Sequence, residues 1–229
     1  VVPAAFLPSP AGVVGELWKQ ILSGQLLGDL SVSFRRLGLG FAIGAAVGIG
    51  IGLLTGRFRV ADWIASPFIA GLYTLPKVAI LPLLILWMGI GEEPKIALIA
   101  VGCFFPVVVN THAGVRQTPL TLILAARNLG AKTGPLMRKV FLPSAAPYIL
   151  AGLRLGLGQS LLLVVVAEML GGTSGIGYSI LAAGQLMHST TVIALLVVFG
   201  LLGIGFSVLL KWLEKKLSPW AEDSDESAS

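Results

Sequence analysis

Leu124–Pro143, LAARNLGAKTGPLMRKVFLP, is a polar, basic insert set between long apolar runs. Before it, Ile96 to Val115 holds twenty uncharged residues; after it, Met169 to Leu210 holds forty-two, and Leu37 to Gly56 near the start holds another twenty. About 20 helical residues cross the ~30 Å of bilayer hydrocarbon, so each run is long enough to span. Composition agrees, because 55% hydrophobic residues, 12% charged residues and a mean hydropathy of +0.91 lie far from an ordinary soluble domain. The chain reads as an all-α polytopic membrane protein, and the insert as a docking surface between two of its spans.

Five spans are expected, at about 37–56, 63–90, 95–115, 145–170 and 191–211. Residues 1–36 read as a turn at Leu7-Pro8-Ser9-Pro10 followed by an interfacial amphipathic segment from Gly12 to Leu30. Residues 37–211 form the transmembrane domain, with a loop at 116–144, and 212–229 form a tail expected to be disordered. Lys and Arg in short connections favour the cytoplasmic side. One set of alternating loops holds ten of them: Arg57, Arg59, Arg116, Arg127, Lys132, Arg138, Lys139, Lys211, Lys215 and Lys216; the other holds four, Lys19, Arg35, Arg36 and Lys95. The insert and the C-terminus are therefore expected in the cytoplasm, in a multi-pass protein of the cell (inner) membrane. Positive charge scattered over membrane loops serves topology and acidic lipid headgroups, not nucleic acid. Four of the eleven acids sit in the tail, at Glu222, Asp223, Asp225 and Glu226.

The first span carries a glycine ladder, Gly40, Gly44, Gly48, Gly52 and Gly56, each four residues from the last and so along one side of a helix. Such ladders let another backbone approach closely, within the chain or across a dimer. The second span is interrupted by Pro67, Pro76 and Pro82, with Lys77 beside the middle proline. Broken backbone at membrane depth is tolerated where protein or a watery cavity satisfies it. Lys77 then faces a cavity that attracts an anion, or sits at a helix boundary and reaches headgroups. Arg154 and Glu168 are charges within the fourth span, fourteen residues or about 21 Å apart along a helix, too far to pair with each other. Glu168 either serves function or fixes the glycine loop Gly171–Gly177 that follows it. With Gln159 these make the candidate pathway set Pro76, Lys77, Pro82, Arg154, Gln159 and Glu168.

No G-x-x-x-x-G-K-[ST] occurs, so the chain lacks a phosphate cradle and is not itself an ATPase. Cys103 is alone, His112 and His188 lack ligand spacing, and neither a catalytic set nor a metal site is expected.

The insert places Ala125 and Ala126, then Gly130 four residues after the second alanine, then Val140, Leu142 and Pro143. This spacing resembles E-A-A-x-x-x-G-x9-I-x-L-P, the cytoplasmic coupling loop of ABC importer permeases, with Leu124 standing in place of the acidic residue. The segments Arg35–Phe41, Leu81–Gly91, Leu142–Ile149 and Val166–Leu170 with Ser174–Tyr178 resemble permeases of nitrate, sulfonate, taurine and bicarbonate importers, and the resemblance runs from about Leu7 to Trp220.

That resemblance implies a MetI-like helical core of about five spans, lacking one N-terminal span. It implies two cytoplasmic ABC ATPase subunits, an extracytoplasmic solute-binding protein and a second permease copy as partners, besides membrane lipid. ATP and Mg belong to the ATPase, and no cofactor is bound by this chain. The coupling interface falls on Leu124, Ala125, Ala126, Gly130, Ala131, Val140, Leu142 and Pro143. The function implied is ATP-driven import of a small solute, an anion such as nitrate, sulfonate, taurine or bicarbonate. A secondary transporter or channel working without an ATPase is the alternative, and the matched broken helices such proteins often carry are not repeated here.

Overall fold

The computed structural model describes residues 8–217; the chain before Pro8 and the acidic tail lie outside them. Every element among the described residues is helical. In order they are α1 (Pro10–Leu22), α2 (Gln25–Arg57), α3 (Arg59–Tyr73), α4 (Leu81–Met88), α5 (Glu93–Arg116), α6 (Leu120–Asn128), α7 (Thr133–Leu136), α8 (Leu142–Gly171), α9 (Ile176–Gln185) and α10 (Ser189–Leu217). A 3-10 turn, Lys77–Ile80, leads into α4, and a π turn, Met137–Phe141, joins α7 to α8. Four helical stretches are long and apolar enough to cross a membrane, five if the interrupted pair α3 and α4 counts as one span.

Local chemistry sets the breaks. Ser9 caps α1 by accepting a hydrogen bond from the Gly12 N–H at 3.1 Å, and Pro10 takes the first helical position, where no N–H is needed. Gly24, at φ +74°, separates α1 from α2. The expected second span, 63–90, is two helices, because the chain leaves helical geometry between Tyr73 and Lys77, around Pro76. The expected fourth span begins earlier than 145, since the helical run is unbroken from Thr133 to Gly171. Likewise α10 runs past residue 211, to Leu217.

The expected boundary at residues 36 and 37 is corrected. The first span begins at Gln25, so Arg35 and Arg36 are helical residues and not loop charges. Polar residues sit comfortably in this helix because they share a face. Asp29, Ser33 and Arg36 continue, at i, i+4 and i+7, into the ladder Gly40, Gly44, Gly48, Gly52 and Gly56. Lys95, also counted with the loops, lies in the first turn of α5 and is buried.

The described chain forms two compact units. One comprises the residues up to Gly40, Pro76–Ala100 and Gln159–Phe206; the other comprises Phe41–Leu75, Val101–Gly158 and the residues from Ser207 on. The first packs around Leu26, Ile176, Ile180 and Leu195. The second has Ala45, Cys103 and Val107 in one cluster and Val115, Leu136, Phe141, Ala145 and Ile149 in another.

All five ladder glycines are buried, and within each unit α2 packs on α5 through them, at Gly40 in one and at Gly48, Gly52 and Gly56 in the other. A Cβ at Gly40 would lie 2.6 Å from Ile99 Cβ; at Gly52 it would lie 2.5 Å from Thr111 Cβ, and at Gly56 2.6 Å from Val115 Cβ. No side chain fits, and the backbones meet as small-residue packing in membranes requires. Gly52→Leu is expected to destabilise the fold by ~1–3 kcal/mol through overpacking. Gly50→Leu, where a Cβ meets nothing within 4 Å, should stay within ~0.5 kcal/mol of wild type in the same SDS-titration unfolding measurement.

Candidate functional site

The insert folds into a short helix with one anchored face and one free face. On α6, Ile123 and Ala126 pack against the cluster of Val115, Leu136, Phe141, Ala145 and Ile149. Thr121, Leu124, Ala125 and Asn128 point the other way and are exposed. The helix ends on a tight double-bonded turn. The Ala131 N–H donates to Ala126 O at 3.0 Å and the Gly130 N–H to Arg127 O at 2.9 Å, with Gly130 at φ +80°. This is a Schellman cap, whose left-handed position favours glycine. The spacing from Ala126 to Gly130 is therefore a helix end written in sequence: the alanine supplies the carbonyl to which the Ala131 N–H returns, and the glycine makes the turn. Leu129, just before it, is 89% exposed and stands out as an apolar knob. Gly134, four residues on, is helical within α7.

The far side of the insert is fastened by its own irregularity. Pro143 has no N–H to return to the preceding turn, and the helix upstream widens to π geometry, the Leu142 N–H bonding to Met137 O. Phe141 is buried at that turn, with the Arg57 guanidinium 5.3 Å from its ring centroid. Val140 is half-buried, while Leu142 and Pro143 are exposed. Of the eight expected coupling residues, Leu124, Ala125, Gly130, Leu142 and Pro143 are exposed and Ala126, Ala131 and Val140 half-buried.

A second constellation, in the other unit, is built around Arg36 and Glu168, only 1% and 0% exposed. Arg36 uses all five of its N–H donors. Nε and Nη2 grip Glu92 at 2.7 and 2.6 Å, Nη1 reaches Glu168 Oε1 at 2.8 Å and Ser174 O at 2.7 Å, and Nη2 also reaches Ser174 Oγ at 3.2 Å. Glu168 further accepts from Ser33 Oγ at 2.8 Å and from the Gly177 N–H at 2.9 Å.

The effect is to cap α9 from two other helices. Its leading N–H groups, of Gly175, Ile176 and Gly177, donate to Asp29 Oδ1, Ser33 Oγ and Glu168 Oε2 at 3.1, 3.0 and 2.9 Å. Carboxylates at the positive end of a helix are favoured, and buried N–H groups need partners. The glycines of this loop leave room for the cap: a Cβ at Gly175 would lie 2.4 Å from the Glu168 carboxyl carbon, and one at Gly177 2.3 Å from Val165 O.

At the more exposed edge of the cluster, Glu92 is held down to about pKa 2. The Arg36 hydrogen bonds do most of this, and Lys95 and Arg35 add to it against the opposing effect of burial. Because the folded value lies below the ordinary carboxylate value, Glu92 stabilises the fold fully above roughly pH 4.5 and loses that contribution as pH falls toward 2. The stability difference between wild type and Glu92→Gln is expected to be largest at neutral pH and to shrink below about pH 4 in a pH series of melting curves.

Of the pathway candidates, Pro76 and Pro82 are exposed around the 3-10 turn and Lys77 is half-buried there; Arg154 is half-buried and Gln159 exposed on α8. Glu168 is the one whose surroundings are fully defined, and its partners Arg36, Ser33 and Gly177 were not in the expected set. The signal was available in the run Asp29, Ser33, Arg36, Gly40, a polar edge continuing the ladder.

Residues 48–219 match the family model of the binding-protein-dependent transport system inner membrane component. The chain belongs to this family. It is 42% identical, over 96% of its own length and 80% of the relative's, to the permease protein SsuC of Bacillus subtilis (strain 168), named for aliphatic sulfonates transport. It is 32% identical, over 96% and 82%, to the taurine transport system permease protein TauC of Escherichia coli (strain K12). Its fold matches the inward-facing MetNI methionine ABC transporter at a TM-score of 0.66 and 20% identity, covering 92% of this chain and 99% of that one.

The protein is thus the membrane-spanning permease subunit of an ATP-driven ABC importer, and no enzyme: ATP hydrolysis resides in a separate subunit. As a permease of this family it is a multi-pass membrane protein that works with ATPase and binding-protein partners.

Proposed function

We propose that this permease imports a small organosulfonate, a short alkanesulfonate or taurine, handed to it by an extracytoplasmic binding protein. The observation that carries the substrate class is the 42% identity across nearly the whole chain to a permease named for aliphatic sulfonates. Two copies of the chain pair in the membrane, and each receives one ATPase subunit, which holds the ATP and Mg, at residues 124–143.

The insert and the C-terminus face the cytoplasm. Supporting this, ten cations lie in one set of connections and helix ends against four in the other, and three of those four, Arg35, Arg36 and Lys95, are paired with Glu92. The docking face is apolar, Leu124 and Leu129 flanking Ala125, and small alanines let a partner groove close over α6. Arg127, Lys132, Arg138 and Lys139 ring it with positive charge for an acidic rim. ATP-driven closure of the two ATPases pushes on this helix and rocks the spans between outward and inward openings.

The test is uptake into proteoliposomes holding the permease, its ATPase and its binding protein, with ethanesulfonate, taurine, nitrate and bicarbonate compared as labelled solutes. Accumulation of the sulfonates above the inorganic anions is expected. Uptake of nitrate or bicarbonate with neither sulfonate transported would overturn the substrate class.

A further inference from the structure

Where α4 turns into α5 the structure forms a half-open pocket of about 220 Å3, walled by Leu81 and Ile85 of α4, Ile90 of the turn, Leu170 and Gly171 at the end of α8, and Lys95 of α5. Its volume falls below the ~300–1,000 Å3 of pockets for drug-sized ligands and suits a small solute. The walls are apolar apart from the lysine.

The Lys95 side chain is only 6% exposed, an uncommon position for an ammonium group. It has three N–H donors and one acceptor, Glu92 Oε1, at 3.3 Å. That oxygen already takes the shorter 2.6 Å bond from Arg36, and the other Glu92 oxygen serves Arg36 Nε and Arg35. Two carboxylates, Glu92 and Glu168, serve the three cations, and Glu168 reaches only Arg36, so the Lys95 ammonium shares Glu92 with two guanidinium groups and keeps donor capacity at the pocket wall. The other acid of this turn, Glu93, is exposed, and its carboxylate folds back against Gly91 of the pocket rim, where a Cβ would lie 2.5 Å from Oε2. The 24-residue helix α5 also begins here, and its first-turn N–H groups add positive potential.

A buried cation beside a small, mostly aliphatic pocket is complementary to one kind of solute, an anionic head on a short apolar body. We infer that this cavity is a subsite of the permease for the anionic head of its solute, with Lys95 as the residue that binds the head and Ile85 and Leu81 as the walls that admit a short alkyl chain. The solute named here rests on the organosulfonate reading above; the anion subsite rests on the cavity and Lys95 alone.

Isothermal titration of ethanesulfonate, and separately of nitrate, into the permease–ATPase complex in lipid nanodiscs, without binding protein, tests both. Lys95→Met is expected to weaken ethanesulfonate binding at least about tenfold, the worth of one hydrogen bond to a charged group, and Lys95→Arg to retain most of it. Ile85→Phe, which fills the cavity and leaves the lysine in place, should abolish binding of ethanesulfonate while the complex keeps its melting temperature. Lys95-dependent binding of nitrate with none of ethanesulfonate would support the subsite and overturn the organosulfonate. Ethanesulfonate binding unchanged in both Lys95→Met and Ile85→Phe, or no binding of either anion by wild type, would overturn the subsite.

Discussion

Arg36→Met is expected to destabilise the permease by about 3–5 kcal/mol, the cost of leaving a buried charge without its partner. The cost is high because Glu168 is fully buried and cannot turn to water when the guanidinium goes. Its remaining donors, Ser33 Oγ and the Gly177 N–H, are neutral. The adjacent Arg35→Met removes an equal charge, but that side chain is 61% exposed and bonds Glu92 only at the surface, so its effect should stay within about 1 kcal/mol. SDS-titration unfolding of the two variants in mixed micelles measures the contrast. Glu168→Leu should be as damaging as Arg36→Met, since it also uncaps α9. The double variant should recover part of the loss, because two facing apolar side chains leave no fully buried charge orphaned, while the cap and the Arg36 bonds to Glu92 and Ser174 remain broken. Equal, small losses in Arg36→Met and Arg35→Met would show that the buried cluster contributes nothing.

Leu129→Asp combined with Gly130→Val is expected to reduce ATP-driven uptake by tenfold or more while insertion is kept and the melting temperature falls by only a few degrees. Leu129 is almost wholly exposed, so a charge there disturbs no core and acts only where a partner covers it. Gly130 has open space around its Cα, so valine meets no neighbour; it is disfavoured by the left-handed backbone alone, at about 1–2 kcal/mol, and the Schellman turn that aims Leu129 loosens. Ala126 is a poorer site for this test, because it packs on the Phe141 cluster and a large side chain there disturbs the fold as well as the docking. The readout is uptake beside ATPase activity stimulated by loaded binding protein. Wild-type uptake in this double variant would remove α6 from the coupling path.

The spans were legible because lipid leaves a coarse signature: long uncharged runs and proline breaks are read without knowing what packs on what. The end of α6 was legible too, since the interval from Ala126 to Gly130 is a local geometry and needs no distant partner. What escaped was the first twelve residues of α2. Asp29, Ser33 and Arg36 look too polar for a span until the groups that satisfy them are known. Those groups, Gly175, Ile176 and Glu168, lie more than 130 residues away in sequence. Hydropathy sums charge and cannot see pairing. The same limit made Lys95 a loop charge, where burial beside Glu92 makes it part of a cavity wall. Pro143 entered only as part of the loop spacing, and the π turn before it, with Phe141 buried, depends on packing that the spacing does not carry.

The account's central claim is that residues 124–143 meet the ATPase on the cytoplasmic side, and one engineered thiol tests it. The chain's sole cysteine, Cys103, is fully buried, so Leu129→Cys offers one accessible thiol. In sealed, right-side-out vesicles carrying the assembled importer, that thiol should resist a membrane-impermeant maleimide added outside. It should cross-link to the ATPase subunit through a short bifunctional maleimide, with loss of ATP-driven uptake. Labelling from outside together with no cross-link to the ATPase would contradict the account.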